Sequence, residues 1–127
     1  MTGLLLAAVV ASAPVTGVSL PERRRALYLT DLMLEEGRLG EAEDFLNERM
    51  AADDDRDSWL TRLARIRAAQ RRHAKSADIY RDMLARRGED AGLLIQLGLQ
   101  EFAAGDLGRA EADLERARAR STDPLVL

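Results

Sequence analysis

Three carboxylates alternate along one stretch of this chain, Asp53, Asp55 and Asp57, as they do at the opening of an EF-hand calcium loop. Such a loop next needs a Gly and later a Glu, and Ser58 and Ala64 stand in those places, so an acidic turn is expected instead. His73 is the sole histidine and there is no cysteine, which leaves nothing from which to build a metal site or a nucleophile–base pair. An exposed histidine in a turn is the expectation. Glu35 and Glu36 read as helix-surface carboxylates. Gly37 with Gly40, and Gly105 with Gly108, have the spacing of bends and not of a phosphate cradle. Trp59 beside Arg62 and Arg65 offers the residue types that stack on RNA bases, but a net charge of −3 and 4% aromatics argue against nucleic acid. No catalytic residue, metal site or cofactor site is expected, and the chain does not read as an enzyme.

The elements that would carry these residues follow from composition. The 127 residues suffice for one compact domain or one short repeat array. With 46% hydrophobic residues, 32% charged and few aromatics, the material is that of amphipathic helices rich in Ala, Leu, Glu and Arg.

Residues 1–18 form an apolar N-terminal segment, and no charged side chain occurs before Glu22. The unbroken apolar run Leu4–Ala11 is too short to span a bilayer, which takes about 20 residues. Two readings stand. One is a secretory signal peptide, with Ala11-Ser12-Ala13 or Val15-Thr16-Gly17 as its cleavage site. The other is a helix that caps the chain. The first places the protein in the periplasm or outside the cell, the second in the cytoplasm. Ser19-Leu20-Pro21-Glu22 then has the form of a capping box, and the ordered helices are expected to begin there.

Aligning Leu97 with Leu63 and Leu29 reveals a gapless period of 34 residues over 23–56, 57–90 and 91–124. The residue after the shared Leu is small in each copy: Thr30, Ala64 and Gly98. Bends are expected at Gly37, Arg71 and Gly105, although the second copy, Arg71-Arg72-His73-Ala74-Lys75-Ser76, lacks both glycines. Ala42, Ser76 and Ala110 supply small residues to the second helix, and Leu46, Tyr80 and Leu114 its large apolar residue. Leu94, Leu97 and Gly98 share one helix face, and Ala110, Leu114 and Ala117 another. One hairpin cannot bury both stripes, so neighbouring hairpins must stack.

The pattern resembles the tetratricopeptide repeat (TPR) family, over residues 23–124. The family's aromatic residue in the first helix is replaced here by Met33, Arg67 and Glu101. The resemblance implies an all-α fold, a right-handed α-α superhelix of stacked hairpins over 19–124. Thr122-Asp123-Pro124 has the form of a further helix start, leaving 125–127 as the beginning of a truncated or uncapped helix.

The resemblance further implies a non-catalytic scaffold that holds a protein or peptide partner in a concave groove lined by first helices. Carried onto this sequence, that groove comprises Leu27, Tyr28 and Asp31 in the first copy, Arg62 and Arg65 in the second, and Ile95, Gln96, Leu99 and Phe102 in the third. A bacterial envelope assembly or export system is the expected setting. The alternative is a structural section of a larger TPR-bearing machine, such as one for polysaccharide export, or a module that forms homo-oligomers through its uncapped C-terminal face. Neither nucleic acid nor a transmembrane helix is expected. Charge alternates along the copies, with six Lys/Arg against ten Asp/Glu in 23–56, nine against five in 57–90 and four against six in 91–124. Solvated helix faces are the expected outcome, with charge pairing between copies as the alternative.

Overall fold

The computed structural model describes residues 18–121, and within them the chain is all-helical. Six helices follow in order: α1 Leu20–Glu35, α2 Leu39–Ala52, α3 Arg56–Ala69, α4 His73–Arg87, α5 Ala91–Ala103 and α6 Leu107–Arg120. No strand occurs among the described residues, and no helix there is long and apolar enough to cross a membrane. Residues 1–17 and 122–127 lie outside the described residues. So do the cleavage-site alternatives and the expected helix start at Asp123-Pro124.

Local chemistry sets where helices begin. Ser19 caps α1, its Oγ accepting from the Glu22 backbone N–H at 3.3 Å, with Pro21 in the first turn. Asp90 caps α5 by accepting from the Leu93 N–H at 3.0 Å, and Asp106 caps α6 by accepting from Arg109 at 3.4 Å.

The three bends are one structure repeated. Gly37, Arg71 and Gly105 all adopt positive φ, at 74°, 64° and 90°. In each, the next residue's N–H closes back on a carbonyl of the first helix: Arg38 to Met33, Arg72 to Arg67 and Asp106 to Glu101, at 2.9, 2.8 and 2.9 Å. That is the hydrogen bond of a helix ending in a left-handed residue. The second copy makes the bend without glycine.

Small residues sit where the paired helices touch. Thr30, Ala64 and Gly98 are buried, as are Ala42, Ser76 and Ala110. Ser76 Oγ donates to the Ala64 carbonyl at 2.8 Å across the α3–α4 contact. A Cβ built on Gly98 would come within 2.6 Å of Leu114 Cγ, so the third hairpin closes only because that residue has no side chain.

Packing runs between neighbours in sequence, with α1 also touching α3, and no extended contact joins α1–α2 to α5–α6. Ala26, Ala42, Leu46, Trp59 and Ile66 form one apolar cluster. Leu60, Ala64, Ala77, Tyr80, Met83, Leu93 and Leu97 form the next. Met50 and Leu63 pack against both, so the apolar seam is continuous from α1 to α5. This packing of adjacent helices is compatible with a helical repeat.

The copies are not equally buried. Leu97 is 2% exposed but its counterpart Leu29 is 40% exposed. Leu97 packs with Ala77, Tyr80 and Met83 of the preceding hairpin, and among the described residues nothing precedes α1 to do the same for Leu29. At the other end Leu114 is only half-buried, whereas Leu46 and Tyr80 are buried.

Candidate functional site

The residues expected to line a groove divide into three groups. Leu27 is half-buried against the first apolar cluster and serves the core. Asp31, Arg62 and Arg65 come together: Arg62 Nε and Nη2 donate to the two oxygens of Asp31 at 3.2 Å each, and Arg65 Nη1 lies 3.5 Å from Oδ1. The arginines expected to face a partner therefore already bridge α3 to α1. Arg65 retains more freedom, with 52% of its side chain exposed against 23% for Arg62. The third group is open to solvent. Tyr28 on α1 and Leu99 and Phe102 on α5 are 63%, 50% and 64% exposed, with Gln96 exposed and Ile95 half-buried.

Phe102 also borders a depression of about 420 Å³ with Leu107, Ala110, Glu111, Leu114 and Glu115. Of the six exposed large apolar residues among the described residues, Leu20, Tyr28, Leu29, Leu99, Phe102 and Leu107, five stand on the first helix of a hairpin.

Part of the alternation of charge along the sequence serves pairing between helices. Besides Arg62 and Arg65 with Asp31, Arg67 on α3 pairs with Glu43 on α2. Arg81 on α4 donates to Glu101 on α5 at 2.9 Å, and Arg116 and Arg120 on α6 reach Glu89 at 2.6 and 2.7 Å. Arginines thus cross both junctions between hairpins, where solvated faces were expected. The cause is geometric: residues 31, 43 and 81 lie on faces that meet the next hairpin.

Two polar centres carry no counterpart among the expected site residues. At the first junction, Asp53 is buried and accepts four hydrogen bonds. Arg23 donates through Nη2 and Nε at 2.6 and 2.8 Å, Trp59 Nε1 at 2.9 Å and the Asp55 N–H at 3.0 Å. The Arg23 guanidinium, aided by Trp59 and Asp55, holds this carboxyl well below the usual carboxylate range despite its burial. Trp59, 1% exposed, is a core residue and has no free face for a base.

At the second junction, Glu101 is 1% exposed and its Oε1 meets no donor among the described residues. Burial, then the neighbouring Asp113, pushes its carboxyl above the ordinary range, while Arg81 opposes that shift. Asp113 in turn accepts from Arg116 Nη1 at 2.7 Å. These groups border a cleft of about 550 Å³ that Leu97 also lines. The sequence did hold a signal: Glu101 continues the stripe Leu94, Leu97, Gly98 at helical spacing, a carboxylate in an apolar face.

His73 departs from expectation as well. It opens α4 half-buried, with Nδ1 2.9 Å from Gln100 Oε1, a polar contact across the second junction. The described residues contain no group of three or more His, Cys, Asp or Glu arranged to hold a metal ion. No family model and no curated protein sequence matches this chain.

Proposed function

We propose that this chain is a non-catalytic TPR-like scaffold whose first helices, α1, α3 and α5, present a docking surface to a protein or peptide partner. The hairpins stack as a right-handed superhelix in this reading, bringing Tyr28, Arg65, Leu99 and Phe102 to one concave side. The observation that carries it is the distribution of exposed large apolar residues, five of the six among the described residues standing on first helices. An apolar residue left in water gains most from a partner that covers it, at about 25 cal/mol per Å². Arg65, only loosely held by Asp31, supplies a cation between the apolar ends. The guest that fits is an extended or helical segment with apolar anchors around an acidic residue.

The test is selection of peptides displayed at random on the full chain. Enriched sequences should combine apolar anchors with Asp or Glu, and binding should fall at least about tenfold, or about 1.4 kcal/mol, in Phe102→Asp and in Arg65→Gln with helicity unchanged. No enrichment, or binding by both variants equal to that of the parent chain, would remove this assignment. A second reading, self-association, is favoured by a different observation. The apolar seam closes between internal hairpins but lies open at α1 and at α5–α6, where Leu29 is 40% and Phe102 64% exposed.

A further inference from the structure

Two carboxyls meet inside the third hairpin, beside the close approach of its helices. Glu101 lies one turn on from Gly98 along α5, and Asp113, the residue before Leu114 on α6, is within hydrogen-bond reach of it. The helices touch closely enough there that Gly98 has no room for a side chain against Leu114. Both carboxyls are buried, Glu101 at 1% and Asp113 at 8% exposure. Each has one oxygen committed to a guanidinium. Glu101 Oε2 accepts from Arg81 Nη2 at 2.9 Å, and Asp113 Oδ1 accepts from Arg116 Nη1 at 2.7 Å. Glu101 Oε1 meets no donor among the described residues.

The charges that face Glu101 from the surrounding elements are engaged elsewhere. On α4, Arg81 is shared between Glu101 and Asp78. On α6, Arg116 is drawn to Glu89 in the α4–α5 linker at 2.6 Å, and Arg109 to Asp106 at 3.5 Å. Two ionised carboxylates are both acceptors, so neither can satisfy the other. A single proton resolves this: on Glu101 Oε1 it turns that atom into a donor and leaves Asp113 as the acceptor. Burial and the Asp113 charge favour the neutral form of Glu101 and raise its carboxyl above the ordinary range, against the pull of Arg81. The bonds then run without a break from Arg81 through Glu101, Asp113 and Arg116 to Glu89. Clefts of about 550 and 280 Å³ border Glu101 and give solvent protons a route to it.

We propose that a proton shared by Glu101 and Asp113 latches α6 onto α5, and that its loss as pH rises loosens α6 from the stack. α6 is the element free to respond, because among the described residues its extended packing is with α5 alone. With the proton gone, two buried like charges face each other, and separating the helices lets water reach both. The depression bordered by Phe102 of α5 and by Leu107 and Leu114 of α6 widens with that movement. Protonation thus sets the shape of an apolar surface on the third hairpin. This latch goes beyond the partner surface proposed above and stands without it.

Two measurements on the full chain test this. Carbon-13 NMR of the carboxyl groups follows the titration of Glu101, and amide hydrogen exchange, referred to the intrinsic rate at each pH, follows α6. Through the Glu101 titration the protection of α6 should fall at least about tenfold while that of α3 holds. In Glu101→Gln the side-chain amide donates to Asp113 at every pH, so α6 should stay protected throughout. In Asp113→Asn the amide donates to the Glu101 carboxylate instead, and the Glu101 midpoint should fall. Histidine is the side chain that ordinarily titrates near neutral pH, and His73 meets Gln100 at this junction, so the same loss of protection should recur in His73→Gln. Protection of α6 that is independent of pH in the parent chain, or a pH dependence that vanishes with His73, overturns the proposal. So does a Glu101 midpoint that Asp113→Asn leaves in place, which would mean that burial alone or a water settles Oε1. Release of α6 at every pH in Glu101→Gln also overturns it, because the Glu101 charge on Arg81, and not the proton, would then be holding the helix.

Discussion

Arg71 is the one non-glycine residue with positive φ among the described residues, and its register position is filled by Gly37 and Gly105 in the other hairpins. An L-residue in the left-handed region pays about 1–2 kcal/mol for the approach of Cβ to the following carbonyl. Arg71→Gly removes that strain while adding unfolded-chain entropy worth roughly 0.5–1 kcal/mol. The net expectation is a gain of about 0.5–1 kcal/mol. In a domain of this size that raises Tm by a few degrees, about 2–8 °C per kcal/mol. The side chain is exposed, so its loss costs little packing. Arg71→Ala provides the control, because it deletes the side chain and keeps the strain, and should leave stability unchanged. Gly37→Ala and Gly105→Ala test the converse. Beyond the adjoining backbone no atom lies within 4 Å of a Cβ at either position, so their cost, about 1 kcal/mol, is that of the backbone conformation. Urea unfolding at constant m-value is the assay. If Arg71→Ala stabilised as much as Arg71→Gly, the gain would lie in the loss of charge and not in the bend, and the strain assigned to Arg71 would be refuted.

Gly98→Val should destabilise by about 1–3 kcal/mol, since the new branches overlap Leu114, and adding Leu114→Ala should recover part of that loss in urea melts. Trp59→Phe keeps the ring in the core but removes a donor from the buried Asp53 carboxylate, with an expected cost of about 1.5–3 kcal/mol by the same measurement. The two buried carboxyls should act on pH dependence with opposite sign. Asp53, with its lowered pKa, stabilises above about pH 4 and loses that contribution as pH falls through its folded value. Glu101, with its raised pKa, contributes fully below about pH 4.3 and loses its contribution as pH rises through its folded value. Urea melts across pH should therefore show Asp53→Asn flattening the acid limb and Glu101→Gln flattening the decline toward neutral pH. A uniform offset at every pH would contradict the assignment.

The features legible in the sequence are those fixed by backbone geometry within one hairpin. The bends at 37, 71 and 105 and the small residues at 30, 64 and 98 each answer to a turn or a close approach repeated every 34 residues. Arg71 shows the strength of that constraint, because the bend forms there even in the wrong residue type. What was not legible is which polar residues find each other across a junction. Asp31 with Arg62, Asp53 with Arg23 and Trp59, and His73 with Gln100 are separated by up to 31 residues, and their meeting depends on the height at which successive hairpins stack. The same dependence misplaces the shared Leu of the first copy. Leu29 has the right residue type and register, but burial there requires a preceding helix.

The central claim is that the hairpins stack in a row and do not close into a bundle. The absence of cysteine allows spin labels at chosen pairs of sites. Glu41, Lys75 and Arg109 are exposed and occupy one register position in successive copies. Electron–electron double resonance on the cysteine variants should give similar distances for 41–75 and 75–109, and a 41–109 distance approaching twice either. A 41–109 distance no longer than the other two would mean a closed bundle and would contradict the account.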